Sequence, residues 1–349
     1  MTDAGRATIY SVAKHAQVSI ATVSRTLSGA DRVSEASRQR VLDAIRALNY
    51  IPDGAARSLA AKRHQALGLV LPELNGYYYP ELLTGFESLA AEQRLSVVLL
   101  VAGLDGRDLD EPLTHLCSRV DALAVMNGAG LIGAERLTAM ARHTPTVAIG
   151  AAPGQEDGVS TASLDNARRL TVHLLEHGRR RLVFAGSPDL APDAAARWQG
   201  FGAALQQYGL PVPPAQIGGF DVGSGQALGR RIAAGELECD AVVCVNDDVA
   251  LGLYLELRRA GIDVPDRVAL TGWDDSPPTR FTIPGITTVA QPVRELGRVA
   301  AGRLVARIHG LPADEGIELA TTIVLRGSCG CPDIPPHAPR SVDDQKEYR

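Results

Sequence analysis

The sequence predicts a small all-α head, followed by an α/β body of two doubly wound parallel-sheet lobes. Three observations carry this expectation. Residues 1–51 hold three short helical patterns separated by turns, whereas from Ala66 onward short apolar runs alternate with helical segments. Those runs ("ALGLVLP", "SVVLLVA", "ALAVMN", "TVAIG", "RLVFAG", "AVVCVND", "VALTGW", "ITTVAQP") have the unbroken apolar texture of parallel strands covered on both faces. With the strand-like "IELATTIVLRGSC" they number roughly ten, more than one small sheet accommodates, hence two lobes. A chain of 349 residues with 45% hydrophobic content is long enough to bury cores of that size.

In the head, Thr8 can cap a first helix that turns Ile9, Val12, Ala13 and Ala16 inward. Ser19 can cap a second, with Val23 and Leu27 inward. Ser34 can cap a third, bearing Val41, Leu42, Ile45 and Leu48. Only "AQV" separates the first two, so they meet at a tight turn. Gly29 ends the second helix and Pro52 closes the bundle. The next stretch, 52–64, is polar, small-residued and too short to hold a helix unaided, and reads as a linker. The proline-rich tail, 334–349, is expected to be disordered.

Charge separates head from body. The whole chain carries 35 Lys and Arg against 40 Asp and Glu, a net charge of -5. Residues 1–64 hold ten basic and five acidic side chains, so the head is +5 and the remainder -10. A basic head on an acidic body points to a polyanion at one end only. Two short helices, a tight turn and a supporting helix form a helix–turn–helix, whose second helix enters the major groove of double-stranded DNA. Here Ile20, Ala21, Ser24 and Arg25 face outward, with Thr22 in the same first turn. Small side chains allow close approach, Ile20 can meet a thymine methyl and Arg25 can fork onto a guanine. On pattern alone, a three-helix bundle without nucleic acid stays open.

Enzyme classes fare poorly. Lysine occurs only at positions 14, 62 and 346, so the body has neither a phosphate-cradling GxxxxGK[ST] loop nor a Schiff-base lysine. In "GGFDVGSGQALG", Gly229 falls one residue late for a GxGxxG fingerprint. There is no GxSxG elbow. The five cysteines form no CxxC pair, and the one-residue spacing of Cys329 and Cys331 is wrong for zinc, so no metal or cofactor is expected. The amino terminus lacks an apolar h-region and no apolar run reaches membrane-spanning length, which makes a reduced cytoplasmic interior the expected location.

The segment "TIYSVAKHAQVSIATVSRTLSG…VSEASRQRVLDAIRALNYIPDGAARSLA" resembles the head of the lactose/galactose repressor (LacI/GalR) family of bacterial transcription regulators. The resemblance continues through "NGYYYPELLTGFE", "LDNARRLTVHLLEHGRRRLVFAG", "RWQGFGAAL" and "VNDDVALGLYLELRRAGIDVPDRVALTGWDD", leaving only the tail uncovered. It implies a body like the periplasmic sugar-binding proteins, residues 65–333, with lobes at 65–162 plus 292–322 and 163–291 plus 323–333. It implies that Ile20 and Ala21 set specificity, that Arg25 reads guanine, and that Thr8, Ser19, Thr22, Ser24, Asn49 and Tyr50 touch or lie near phosphates. "AARSLA" matches the hinge helix, with Ala56 and Arg57 on DNA and Leu59 wedged into the minor groove. In the body it implies effector contacts from Tyr78, Tyr79, Asn127, Arg197, Asn246 and Asp274, with Trp273 and Trp198 as candidate stackers whose other reading is core packing. Departures from the family pattern are Gln17 and Arg169 for glycine, Arg179 for histidine, Trp273 for tyrosine, and a glycine, Gly54, opening the hinge. The implied activity is that of a homodimeric repressor of sugar-utilisation genes on a palindromic operator, released by a sugar. The alternative is a corepressor-dependent regulator answering to a metabolite such as a nucleobase.

Overall fold

The computed structural model describes residues 7–27, 33–50, 63–103, 108–126, 132, 134–151, 155–216 and 218–332. The expected hinge contacts Ala56, Arg57 and Leu59, the effector contact Asn127 and the tail 334–349 lie outside the described residues. The chain divides into two compact units, Met1–Gln65 and Ala66–Arg349.

The head consists of α1 (Ile9–Ala16), α2 (Ile20–Leu27) and α3 (Glu35–Ala47). Each start is fixed by a hydroxyl. Thr8 Oγ1 accepts from Ser11 N at 3.3 Å while Ser11 Oγ accepts from Thr8 N at 2.8 Å, a reciprocal capping box. Ser19 Oγ accepts from Thr22 N at 3.1 Å, and Ser34 Oγ from Ser37 N at 3.4 Å. Val12, Ala13, Ala16, Val23, Val41, Ala44 and Tyr50 are buried together. Leu42 departs from the sequence expectation. It is exposed, because Val41 and Ala44 take the inward positions of α3 and leave their neighbour facing solvent.

The α1–α2 turn passes through Gln17 with φ 53° and ψ 45°. A side chain in the left-handed region costs about 1–2 kcal/mol per residue, which glycine avoids.

The body holds two parallel sheets. The first is six-stranded, in the order β10-β5-β4-β3-β1-β2. Its strands are β1 (Ala66–Leu71), β2 (Ser96–Val101), β3 (Ala122–Met126), β4 (Thr146–Ile149), β5 (Gly158–Thr161) and β10 (Ile317–Leu319). All its pairings are parallel. Alternation along β1 sends Leu67, Leu69 and Leu71 to one core, with Leu82, Phe86, Leu296 and Leu304, and Ala66 and Val70 to the other, with Leu113 and Leu123. The covering helices are α4 (Tyr78–Glu92), α5 (Asp110–Cys117), α6 (Ala134–Ala141) and α11 (Val293–Ile308). Strand order reverses between β1 and β3, which opens a crevice at the strands' carboxyl ends.

The second lobe is built on β6 (Leu182–Ala185), β7 (Ala241–Cys244) and β8 (Ala269–Thr271), parallel in that order. Helices α7 (Leu164–Glu176), α8 (Pro192–Gln207), α9 (Val222–Ala233) and α10 (Asp247–Arg259) surround it. Its core contains Phe184, Phe201, Val243, Leu253 and Leu270. A short antiparallel pair, β9 (Thr288–Ala290) with β11 (Thr322–Val324), completes it. The chain therefore passes between the lobes three times: after β5, after β9 and after β10. Among the described residues, no helix is long and apolar enough to cross a membrane.

Gln17→Gly is expected to stabilise the head. Relief of the left-handed strain is partly offset by about 0.5–1 kcal/mol of added unfolded-state freedom. A net gain of about 0.5–1 kcal/mol corresponds to roughly 2–5-fold slower hydrogen exchange of the α1–α3 amides. Unchanged or faster exchange would show that the glutamine side chain compensates the strain.

Candidate DNA-reading surface and effector cleft

On the head, Ser19, Ile20, Ala21, Ser24 and Arg25 are exposed, and Thr22 is half-buried where its hydroxyl meets Ser19 Oγ at 2.9 Å. The exposed face of α2 is small-residued, with one arginine. Thr8 and Asn49 are also exposed, Asn49 with φ 46°. Tyr50 differs, because its ring belongs to the head's core. Tyr10 is not among the residues expected from sequence. It is 70% exposed, an aromatic on the outer face of α1, and the inward phase of Ile9, Val12 and Ala13 was the signal that could have found it.

In the body, a cleft of about 700 Å³, mouth included, lies between the lobes. Lobe 1 contributes Glu73 and Gly76 from the β1–α4 loop, and Tyr78 and Tyr79 from the first turn of α4. Lobe 2 contributes Asp193 and Arg197 from α8, Asn246, Asp247 and Asp248 from the start of α10, and Asp274 beyond β8. Gln291, on the second crossing, completes the lining. Tyr78, Tyr79, Arg197, Asn246 and Asp274 thus come together as expected contacts. Glu73, Asp193, Asp248 and Gln291 join them without a sequence signal, since an isolated polar residue does not announce convergence.

Arg197 is buried and held on three sides. Nη1 donates to Val245 O at 2.7 Å, Nη2 donates to Asp193 Oδ2 at 2.6 Å, and the guanidinium carbon lies 4.6 Å from the centre of the Trp273 ring. Two expectations are corrected here. Trp273 is fully buried beneath Arg197 and does not line the cleft. Trp198 packs 5.5 Å from both Phe184 and Phe201 in the lobe 2 core, one helical position away from the arginine that does face the cleft. Asn246 has a structural duty as well. Its Oδ1 caps α10 through Val249 N at 3.0 Å and its Nδ2 donates to Phe220 O at 2.7 Å.

Asp274 sits at φ 116°, a conformation that persists in a side-chain-bearing residue only when the surroundings enforce it. Its N–H donates to Val289 O at 2.8 Å, and its Oδ1 accepts from Gln291 Nε2 at 2.6 Å. Burial pushes the Asp274 carboxyl well above the usual carboxylate range, Arg197 opposes this, and Asp247 adds to it. Burial raises Asp247 too, although Thr288 Oγ1 and Ser276 N each donate to it at 2.7 Å. Asp248 is raised by burial and by Glu73 across the cleft. Tyr78 and Tyr79 are both raised, chiefly by burial, and their rings meet edge to face at 5.4 Å. Gly76, at φ +70°, brings the lobe 1 backbone close to lobe 2, where a Cβ would lie 2.7 Å from Asp248 Oδ2. The lining thus carries five carboxyl groups and one guanidinium.

A helix–turn–helix head on a two-lobed α/β body with a polar interlobe cleft defines a ligand-responsive DNA-binding regulator. The model for bacterial regulatory proteins of the lacI family matches residues 8–53, and the one for a periplasmic binding protein-like domain matches residues 171–329. The ribose operon repressor of Escherichia coli (strain K12) is 31% identical over 328 residues, covering 92% of this chain and 99% of that protein. The transcriptional regulator CelR in complex with cellobiose has TM-score 0.68 at 29% identity, covering 93% of this chain and 100% of that one. The lac repressor dimer bound to operator and the anti-inducer ONPF shares the fold with TM-score 0.82 at 24% identity, covering 93% of this chain and 99% of that one. The chain belongs to the LacI family of bacterial transcription regulators.

Asp274→Asn tests the electrostatics of the cleft. A carboxyl raised by the fold binds its proton more tightly there than in the unfolded chain. Stability therefore declines as pH rises above the unfolded value of about 4 towards the raised value. The neutral isostere is expected to raise Tm at pH 7 by about 2–4 °C and to flatten that decline. A Tm difference that does not vary with pH would count against a raised Asp274.

Proposed function

We propose that this regulator is a cytoplasmic, non-catalytic repressor of sugar-utilisation genes that binds a palindromic operator as a homodimer and is released by a neutral polyhydroxyl effector. A two-fold dimer matches two related half-sites. On each half-site Ile20 and Ala21 contact base edges, Arg25 forks onto guanine, and Thr8, Ser19, Thr22, Ser24 and Asn49 approach phosphates. Effector binding draws the lobes together, shifts the first lobes of the dimer against each other, separates the hinges and withdraws Leu59 from the minor groove.

The observation that carries the effector class is the acidic cleft lining. Carboxylates accept hydrogen bonds from hydroxyls, and Tyr78 and Tyr79 offer ring surface for the apolar face of a pyranose or furanose. An anionic effector would meet Glu73, Asp193 and Asp248 with only Arg197 to balance them, and that arginine is already paired. Neutral sugars are therefore expected to raise Tm while their phosphates do not. A thermal-shift screen of sugars, sugar phosphates and nucleobases, followed by operator binding with each hit, tests this. Stabilisation by sugar phosphates alone would overturn the effector class, and an operator complex tightened by the hit would overturn induction.

Arg25→Ala is expected to cost about 1–3 kcal/mol on operator and to relax specificity at one base pair. Equal losses on operator and on random DNA, read by salt-controlled binding titrations, would remove the guanine-reading role.

A further inference from the structure

We propose that His173, His177, Cys329 and Cys331 form a tetrahedral transition-metal site, with zinc as its favoured occupant. A one-residue spacing between two cysteines does not define a zinc site in sequence, but the fold brings to them a histidine pair from 152 or more positions upstream. His173 lies on α7 and His177 caps its carboxyl end, four residues apart and so on one face, with ring centres 4.6 Å apart. The cysteines belong to the turn that follows β11, where Cys329 ends a short 3-10 segment.

Three of the ligand atoms already converge, and the fourth, on the exposed His177, adjoins Cys331 and has to turn inward to complete the tetrahedron. His173 Nε2 lies 3.4 Å from Cys329 Sγ and 3.4 Å from Cys331 Sγ, and Cys331 Sγ lies 3.5 Å from His177 Nε2. The ligand atoms of His173, Cys329 and Cys331 are all within 4.8 Å of one another. A tetrahedron with zinc–sulfur bonds of about 2.3 Å and zinc–nitrogen bonds of about 2.0–2.1 Å has nitrogen–sulfur edges of about 3.6 Å. Gly330, at φ +110°, turns the chain so that both sulfurs reach the same imidazole, and a Cβ there would lie 3.2 Å from His177 Nδ1. Thr287 Oγ1 donates to Cys329 Sγ at 3.1 Å, an outer hydrogen bond of the kind that steadies a thiolate ligand. Two thiolates and two imidazoles favour zinc over magnesium or calcium. Cys329 is buried, His173 and Cys331 are half-buried and His177 is exposed, which leaves the ion a path in from solvent.

Binding exchanges two thiol protons for one divalent ion, and the protons go to solvent. The cleft shares no residue with this cluster. The metal's role is to fasten the turn after β11, reached by the third crossing, to α7, reached by the first.

Full-length protein, reduced, chelator-stripped and dialysed, is titrated with cobalt(II) chloride and then zinc(II) chloride. One cobalt per chain is expected, with thiolate-to-cobalt charge-transfer absorption and the intense visible bands of a tetrahedral site, both erased by one equivalent of zinc. Cys331→Ser and His173→Ala are expected to weaken binding by more than the roughly 10–100-fold that outer-shell changes cause. Cys117→Ser, at a thiol outside the cluster, should bind as the parent does. Weak six-coordinate absorption, sub-stoichiometric binding, or unchanged affinity in Cys331→Ser would overturn the site. Should the ligand variants fail to fold, alkylation of the parent protein decides. Zinc is expected to protect Cys331 and leave Cys117 reactive, and an unprotected Cys331 would overturn the site.

Discussion

Three chain crossings tie the lobes of the body together, and the polar groups of the cleft are placed by where those crossings run. With three connections, the lobes can rock about a common line but cannot slide apart. The crossings are hydrogen-bonded to one another's surroundings. Gln291 donates to Asp274 of the second lobe and accepts from Thr161 at the end of β5 in the first. Thr321 donates to Ala162 O at 2.7 Å and accepts from Asn166 Nδ2 at 2.7 Å, joining the first and third crossings. A change of angle between lobes must therefore be felt at Asp274, where the ligand is proposed to sit. On that proposal, ligand contact and hinging share side chains.

Within that frame, the electrostatics of the cleft are set by burial more than by pairing. Arg197 balances Asp193 directly and stacks on Trp273, so its charge is spent on structure. Asp247 is held by Thr288 and Ser276. Asp274, Asp248 and Glu73 have no cationic partner of comparable quality in the lining, and burial raises the two aspartates accordingly. Such a lining tolerates groups that donate hydrogen bonds and repels those that bring more negative charge.

The head was largely legible in the sequence, because local rules decide it. Capping hydroxyls at Thr8, Ser19 and Ser34 and the 3.6-residue spacing of small apolar residues specify helices without distant partners. Leu42 escaped because a one-residue difference in helix phase separates core from surface. Most of the parallel strands were legible as unbroken apolar runs, but β5 lacks such a run, and "ITTVAQP", expected as a parallel strand, supplies β9 of the antiparallel pair. The cleft was only half legible. Arg197 and Asp274 were anticipated from the family resemblance, but Trp198 shows that neighbours in a motif need not share a direction, since one position along α8 turns a side chain from cleft to core. The histidine–cysteine cluster was illegible for a different reason. Its two halves stand 152 or more residues apart, and only the docking of the last turn against α7 makes them neighbours.

The approach of Gly76 to Asp248 has a consequence for how sensitive this protein can be. Glu73 stands on the same loop as Gly76 and its charge opposes ionisation of Asp248, so bringing these two acidic groups together works against closure there. A ligand that bridges the lobes at this cleft would bear that cost, and its apparent affinity would fall with the population of the closed form. A regulator whose lobes meet through acidic groups would answer to abundant ligand more readily than to traces.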